Sequence, residues 1–250
     1  MDLFYPELAV QLGSYTLNRG ICVTACSSKD SYFDWAKVRF TRDFPEKITL
    51  SKLDTAVVYL GYNGQYNPVF KGYATTDFAL SDNLNEIVLK DAALKLESTY
   101  INNTFVYCSP SEVVTYCCQQ SGIDKVVLPP QQYLAKTYYP VFNLTALKAI
   151  QGINSHYNIN AKFYLQDDTF YWNTTPPQKE MYHFEYQKNI ISLVKEGGLW
   201  VLTTVSVPFV KHSQKIMITH PLLSGEHEIS KVIFTSNESG FIRAKLYFKG

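Results

Sequence analysis

The chain lacks the short motifs that announce most enzymes. There is no G-x-S-x-G elbow, no G-x-x-x-x-G-K-[ST] phosphate loop, no H-E-x-x-H pair and no G-x-G-x-x-G turn. Nothing in it therefore spells out a hydrolase nucleophile, a nucleotide cradle or a zinc helix. Charge is scarce as well. Asp, Glu, Lys and Arg make up 18% of the residues and nearly cancel, to a net +1, so no global field draws the protein to nucleic acid or to an anionic membrane. No run approaches the ~20 apolar residues that a membrane-spanning helix needs. Residues 1–7, Met-Asp-Leu-Phe-Tyr-Pro-Glu, are acidic where a secretory leader is basic. The expectation is a protein without a leader, made in a reducing cytosol. Cys22, Cys26, Cys108, Cys117 and Cys118 are odd in number and lack framework spacing, which argues for free thiols over a disulfide scaffold. Sequons begin at Asn102, Asn143, Asn173 and Asn237; without a leader they are expected to stay unmodified.

What the chain does have is aromatic strand. Its 250 residues suffice for one large domain or two to three small ones, and 46% of them are apolar. The 19 Tyr and 15 Phe favour strands and supply amphipathic rings for interfaces. Up to about residue 107 the pattern has period 2, with strands expected at 20–26, 32–40, 56–62, 69–74 running on toward 78–80, and 85–91. In 32–40 both faces carry bulk, Phe33, Trp35, the Lys37 stem and Arg39 against Tyr32, Ala36, Val38 and Phe40. That suits a strand inside a barrel that also touches a neighbour. Asn63-Gly64 is a strong hairpin signal. This part reads as a small closed antiparallel barrel.

A helical island follows, from Ser109 to about Tyr157. In Ser109-Pro110-Ser111-Glu112 the Ser can cap the free N–H of the third helical residue, Pro at the first position sacrifices no hydrogen bond, and Glu reaches back to the cap. Val113, Val114, Cys117 and Cys118 form one apolar stripe, and Gly122 stands where a left-handed C-cap belongs. The two cysteines then read as small core residues. Asn143 is expected to cap a second helix through Leu144, Leu147, Ile150 and Ile153, ending near Asn158. Strands at 161–165 and 169–172 make a hairpin around Asp167-Asp168, and Thr174-Thr175-Pro176-Pro177 reads as a linker. From Met181 the strands resume at 182–186, 190–194, 199–207 (stopped by Pro208), 215–219, 229–235 and 241–248, a second apparent barrel with no appended domain expected after it.

The residues with chemical potential are scattered. His220 and His227, beside Glu226 and Glu228, match no metal-ligand spacing, and their segment reads as a loop around Gly225. Asp167-Asp168 suits a turn, whereas catalytic carboxylates are held apart across a cleft. Gly197-Gly198 lacks the following helix that phosphate binding requires. A thiol enzyme built on Cys108 with His156 or His183 has only its residue types in its favour. The abundant Tyr and Phe can stack bases or sugars, but on strands they more often serve core and interface. No catalytic, cofactor-binding or metal-ligating residue is assigned, and no cofactor is expected.

The order of parts resembles the baseplate hub proteins of bacteriophage tails and related contractile injection systems. Residues 31–40, with the hairpin from Asp54 to Gly72, resemble that family's first tube-forming barrel. Residues 109–123 resemble its connector helix, and 144–157 with 161–172 its helix and strand pair. Residues 185–193 resemble the start of its second tube barrel. The likeness thus spans most of the chain in order.

The resemblance implies a mainly β fold in which two antiparallel tube-type barrels, 1–107 and 179–250, flank a two-helix connector at 108–178. It implies a homotrimer whose six barrels form a pseudo-hexameric ring, adapting a sixfold tail tube to a threefold central spike or tip protein. Implied partners are tail tube or distal tail proteins above, the spike below and a tape measure protein. DNA passes through the channel without sequence-specific binding, and no stable membrane insertion is implied. The implied place is the virion tail baseplate, assembled in the bacterial host cytoplasm, and the role is structural rather than enzymatic. At 250 residues the chain is short for the family, and no fused peptidoglycan hydrolase is expected. A distal tail adaptor or a carbohydrate- or receptor-binding tail module is the alternative.

Overall fold

The computed structural model describes residues 5–81, 84–178, 180–205, 207, 209–237 and 241–250. Residues 1–4 of the acidic opening, Ser206 and Pro208 at the end of one expected strand, and Ser239 of the last sequon lie outside the described residues. Packing divides the chain into two units, Met1–Lys90 with Pro177–Gly250, and Asp91–Pro176. The first expected module, 1–107, therefore places its last residues in the second unit.

The first unit begins with β1 (Pro6–Leu12), β2 (Tyr15–Leu17), β3 (Ile21–Ser28), β4 (Trp35–Phe40), β5 (Thr49–Leu50), β6 (Thr55–Tyr62), β7 (Gln65–Ala74), β8 (Phe78–Ala79) and β9 (Glu86–Lys90). Asn63 and Gly64, at φ 56° and 78°, form the two-residue turn between β6 and β7. Both are left-handed, as a type I′ turn requires, which is why Asn-Gly serves there. In β4, Ala36, Val38 and Phe40 are buried, while Trp35 and Lys37 are half-buried and Arg39 is exposed. β1 has no counterpart in the sequence reading, yet it pairs with β6 over its whole length.

The second unit holds α1 (Ala93–Ser98), β10 (Tyr100–Cys108), α2 (Pro110–Gln120), β11 (Lys125–Val127), β12 (Lys136–Thr145), α3 (Ala146–Tyr157), β13 (Phe163–Gln166) and β14 (Thr169–Trp172). The expected capping box is present. Ser109 Oγ accepts from the Glu112 N–H at 3.4 Å, and Glu112 Oε2 accepts from the Ser109 N–H at 2.7 Å. Gly122, at φ 67°, closes the helix, with the Ile123 N–H bonded to the Cys118 carbonyl at 2.9 Å. The second helix starts later than expected. Its cap is Thr145, whose hydroxyl accepts from the Lys148 N–H at 3.3 Å. Asn143 instead stays in β12, at φ 49°, and donates its N–H to Asn102 Oδ1 at 2.7 Å. The antiparallel ribbon of β10 and β12 packs one face on α2 and α3. Phe105, Tyr139 and Val141 of the ribbon are buried, as are Val113, Val114, Cys117 and Cys118 of α2 and Leu147, Ile150 and Ile153 of α3. Asp167 and Asp168, at φ 50° and 61°, make the turn of the β13–β14 hairpin, and β11 joins β14 in parallel.

The chain returns to the first unit with β15 (Tyr182–Glu185), β16 (Ile190–Glu196), β17 (Leu199–Val205), β18 (Lys215–His220), β19 (Leu223–Ser236) and β20 (Ile242–Phe248). Gly197 and Gly198, at φ 55° and 84°, turn β16 into β17. The supposed loop around Gly225 is instead part of the fourteen-residue β19. Its first half pairs with β18, and its second half lies between β3 and β20. The two strand-rich ends of the chain are thereby one sheet, in the order β16-β17-β20-β19-β3-β4-β9-β7-β6-β1-β2, with β18 and β15 branching from β19. Most pairings are antiparallel; β15 with β18 is parallel. Among the described residues this ladder does not close on itself, so the expectation of two closed barrels gives way to a mainly β unit with open edges. Beneath it runs one core, from Val10, Leu12 and Phe40 to Phe184, Leu202, Leu246 and Phe248.

Candidate assembly surfaces

The sequence's reactive candidates are placed apart or buried. On the β18–β19 hairpin, Glu226 pairs with Lys215 at 2.7 Å and Glu228 with Lys29 at 2.5 Å. His227 turns its Nδ1 to the Lys249 carbonyl at 3.2 Å and lies against Phe248, while His220 stands edge-on to Tyr186. These four side chains converge on no common point. Cys117 and Cys118 are fully buried, and burial pushes both thiols up to about 12. They are packing residues, far from the thiolate range that nucleophiles and metal ligands need.

Cys108 meets Tyr157, the neighbour of its candidate partner His156, rather than that histidine itself. Its sulfur is 3.2 Å from the Tyr157 hydroxyl, which donates to the Cys108 carbonyl at 2.9 Å. His156 packs on the rings of Tyr139 and Tyr157, with centroids 4.7 and 5.0 Å away. The Tyr139 hydroxyl donates to the Ala149 carbonyl at 2.8 Å, and burial raises it to about 12. Burial also raises Tyr157, with the Cys108 contact adding to it. This cluster is an aromatic pin between ribbon and helix. His183, the other proposed partner, is on β15 in the first unit.

What the fold leaves open is surface. The outward face of the β10–β12 ribbon carries Tyr100, Val106, Tyr138 and Phe142, each more than 60% exposed. The ribbon's inward face is core, so strand alternation forces these rings outward. Large apolar side chains grouped this way are unusual on a solitary surface and typical of interface centres. The first unit offers backbone instead. β16 ends its sheet with one edge unpaired among the described strands, and the opposite end is the three-residue β2. Such edges are templates for strand addition. The apolar pattern marks the ribbon strands only once their register is known, because the alternation shows two faces without saying which one is covered.

Fold and surfaces together define a class: a mainly β protein of two units, one an open sheet built from both chain ends, the other a helix-backed ribbon. Solved structures of the same fold come from phage tails and a related machine. The 43 kDa tail protein of prophage MuSo2 from Shewanella oneidensis matches with a TM-score of 0.76 at 10% identity, over 98% of this chain and 98% of that one. A tail protein from Neisseria meningitidis MC58 matches at 0.69 and 12% identity, over 99% and 97%. An Escherichia coli component of the type VI secretion system, described as structurally similar to the T4 bacteriophage tail proteins gp27 and gp5, matches at 0.69 and 10%, over 96% and 76%. No protein-family model matches the chain, and no curated protein matches it in sequence. At such identities the likeness is one of fold.

Proposed function

We propose that this protein is a structural, non-catalytic component of a phage tail tip or a related injection particle, specifically a trimeric baseplate hub ring. The single observation that carries the reading is the fold shared end to end with the Shewanella tail protein, over 98% of both chains. In this reading the two strand-rich segments act as two tube-type modules per subunit, merged along β3 and β19. Three subunits then present six modules to a sixfold tail tube and threefold symmetry to a central spike, with distal tail and tape measure proteins as further neighbours. Open sheet edges and an exposed aromatic ribbon suit such a role, since symmetry matching is done by surfaces.

Light scattering of the purified protein, followed by negative-stain imaging, tests this. A mass of three chains and a threefold ring with an open centre are expected. A chain that stays monomeric at high concentration and never enters tail particles overturns it. The second reading, a glycan- or receptor-binding tail module, rests on the exposed Tyr100, Tyr107 and Tyr138, whose rings can stack sugars. Glycan binding by the isolated protein, lost in Tyr138→Ala, would favour it.

A further inference from the structure

Cations in this chain are spread from residue 19 to residue 249 and nearly balanced by acids, yet strands β4, β19 and β20 gather five of them on one face of the sheet, with Lys90 of β9 on the same side opposite Trp35. Register places Lys37 and Arg39 of β4 beside Thr24 and Cys22 of β3. On the other flank of β3, β19 turns Lys231 to the same side, and β20 beyond it adds Arg243 and Lys245. Strands β3, β4 and β20 contain no Asp or Glu, nor does the stretch of β19 that pairs with β3. The nearest strand acid on this face is Glu86 of β9, which holds Lys37 at 3.0 Å. Asp30 and Asp34 lie in the β3–β4 turn at one end of the face. Between the two cationic columns runs β3, whose Cys22, Thr24 and Cys26 give a low, uncharged floor.

The spacing is that of a nucleic-acid backbone. Neighbouring strands are about 4.8 Å apart and alternate residues about 6.8 Å, so the columns stand roughly 10–14 Å from one another. That compares with the ~12 Å width of the major groove, whose flanking phosphates two such columns can reach. A protein partner fits the face less well. Protein interfaces centre on buried apolar anchors, and none of the exposed large apolar side chains among the described residues is on β3, β4, β19 or β20. We propose that this face of β4, β3, β19 and β20 is a sequence-independent docking surface for the phosphate backbone of double-stranded DNA. The contact is a property of the single subunit and does not depend on ring assembly.

Fluorescence anisotropy with a labelled duplex DNA fragment, over a series of NaCl concentrations, tests it on the full chain. The logarithm of the association constant should fall against log salt with a slope of about −4.5, as five phosphate contacts give. Two unrelated duplex sequences should bind alike. The double variant Lys37→Gln/Lys245→Gln should bind more weakly, with the slope shallower by about 2, while Lys125→Gln, on β11 of the other unit, should match the parent. Absence of binding at low salt, a slope unchanged in the double variant, or competition by poly-L-glutamate equal to that by DNA would each overturn the assignment, the last handing the face to an acidic polypeptide. None of these results alters the mass or symmetry that tests the hub reading.

Discussion

His212 has no exposed surface, and its ring sits with Nδ1 3.0 Å from the Ser213 hydroxyl. Burial, then the cations of Lys211 and Lys29, depress its pKa to about 4, against a smaller upward pull from Asp30. An imidazole in the unfolded chain titrates near 6.5, so below that pH the unfolded state binds a proton that the native state refuses. The stabilisation is complete above pH 6.5 and is lost as pH falls toward 4. Between pH 7 and pH 5 the loss is about 2 kcal/mol, before most carboxylates titrate. Urea denaturation at those two pH values should show the drop in the parent and a much flatter response in His212→Gln. Equal slopes in the two proteins would remove His212 as the cause.

At the scale of elements, the start of α2 is held by a reciprocal pair. The Ser109 backbone N–H, then its hydroxyl, lowers the pKa of Glu112. Ser109→Ala removes the cap that serves the Glu112 N–H and should cost about 1 kcal/mol, read as a lower denaturation midpoint with an unchanged slope. A midpoint equal to the parent's would mean that packing alone sets this helix start. The same helix shows why some elements were legible in the sequence and others were not. A capping box, an Asn-Gly turn and a Gly at a helix end are local, and each was found where its residues stand. Asn143 misled because it too is a good cap in isolation, whereas the pairing of β12 with β10 carries the strand on to Thr145. The loop inferred at Gly225 failed for the same reason, since a long-range partner holds that glycine in a strand. The sheet order joining β3 to β19 and the gathering of five cations on one face follow from pairings some two hundred residues apart in sequence, which no local pattern encodes.

For the whole molecule, the ribbon face offers the sharpest separation of folding from assembly. Phe142 and Tyr138 are 68% and 61% exposed, so in the isolated chain they have little burial to lose, and surface substitutions usually stay within about 0.5 kcal/mol. An interface centre behaves oppositely: a few aromatic side chains there carry most of the binding energy, and an unpaired charge among them is strongly disfavoured. Phe142→Asp/Tyr138→Ser should therefore melt like the parent yet fail to enter tail particles in a complementation assay. Lys125→Gln, which changes charge on another element of the same unit, should enter normally. If the double variant melts normally and is incorporated as well as the parent, the ribbon is not an assembly surface, and the sheet edges of the first unit are left as the candidate contacts of the hub reading. If it melts early, the ribbon's outward rings support the fold itself, and the exposure that singled them out is covered in solution by the protein's own chain.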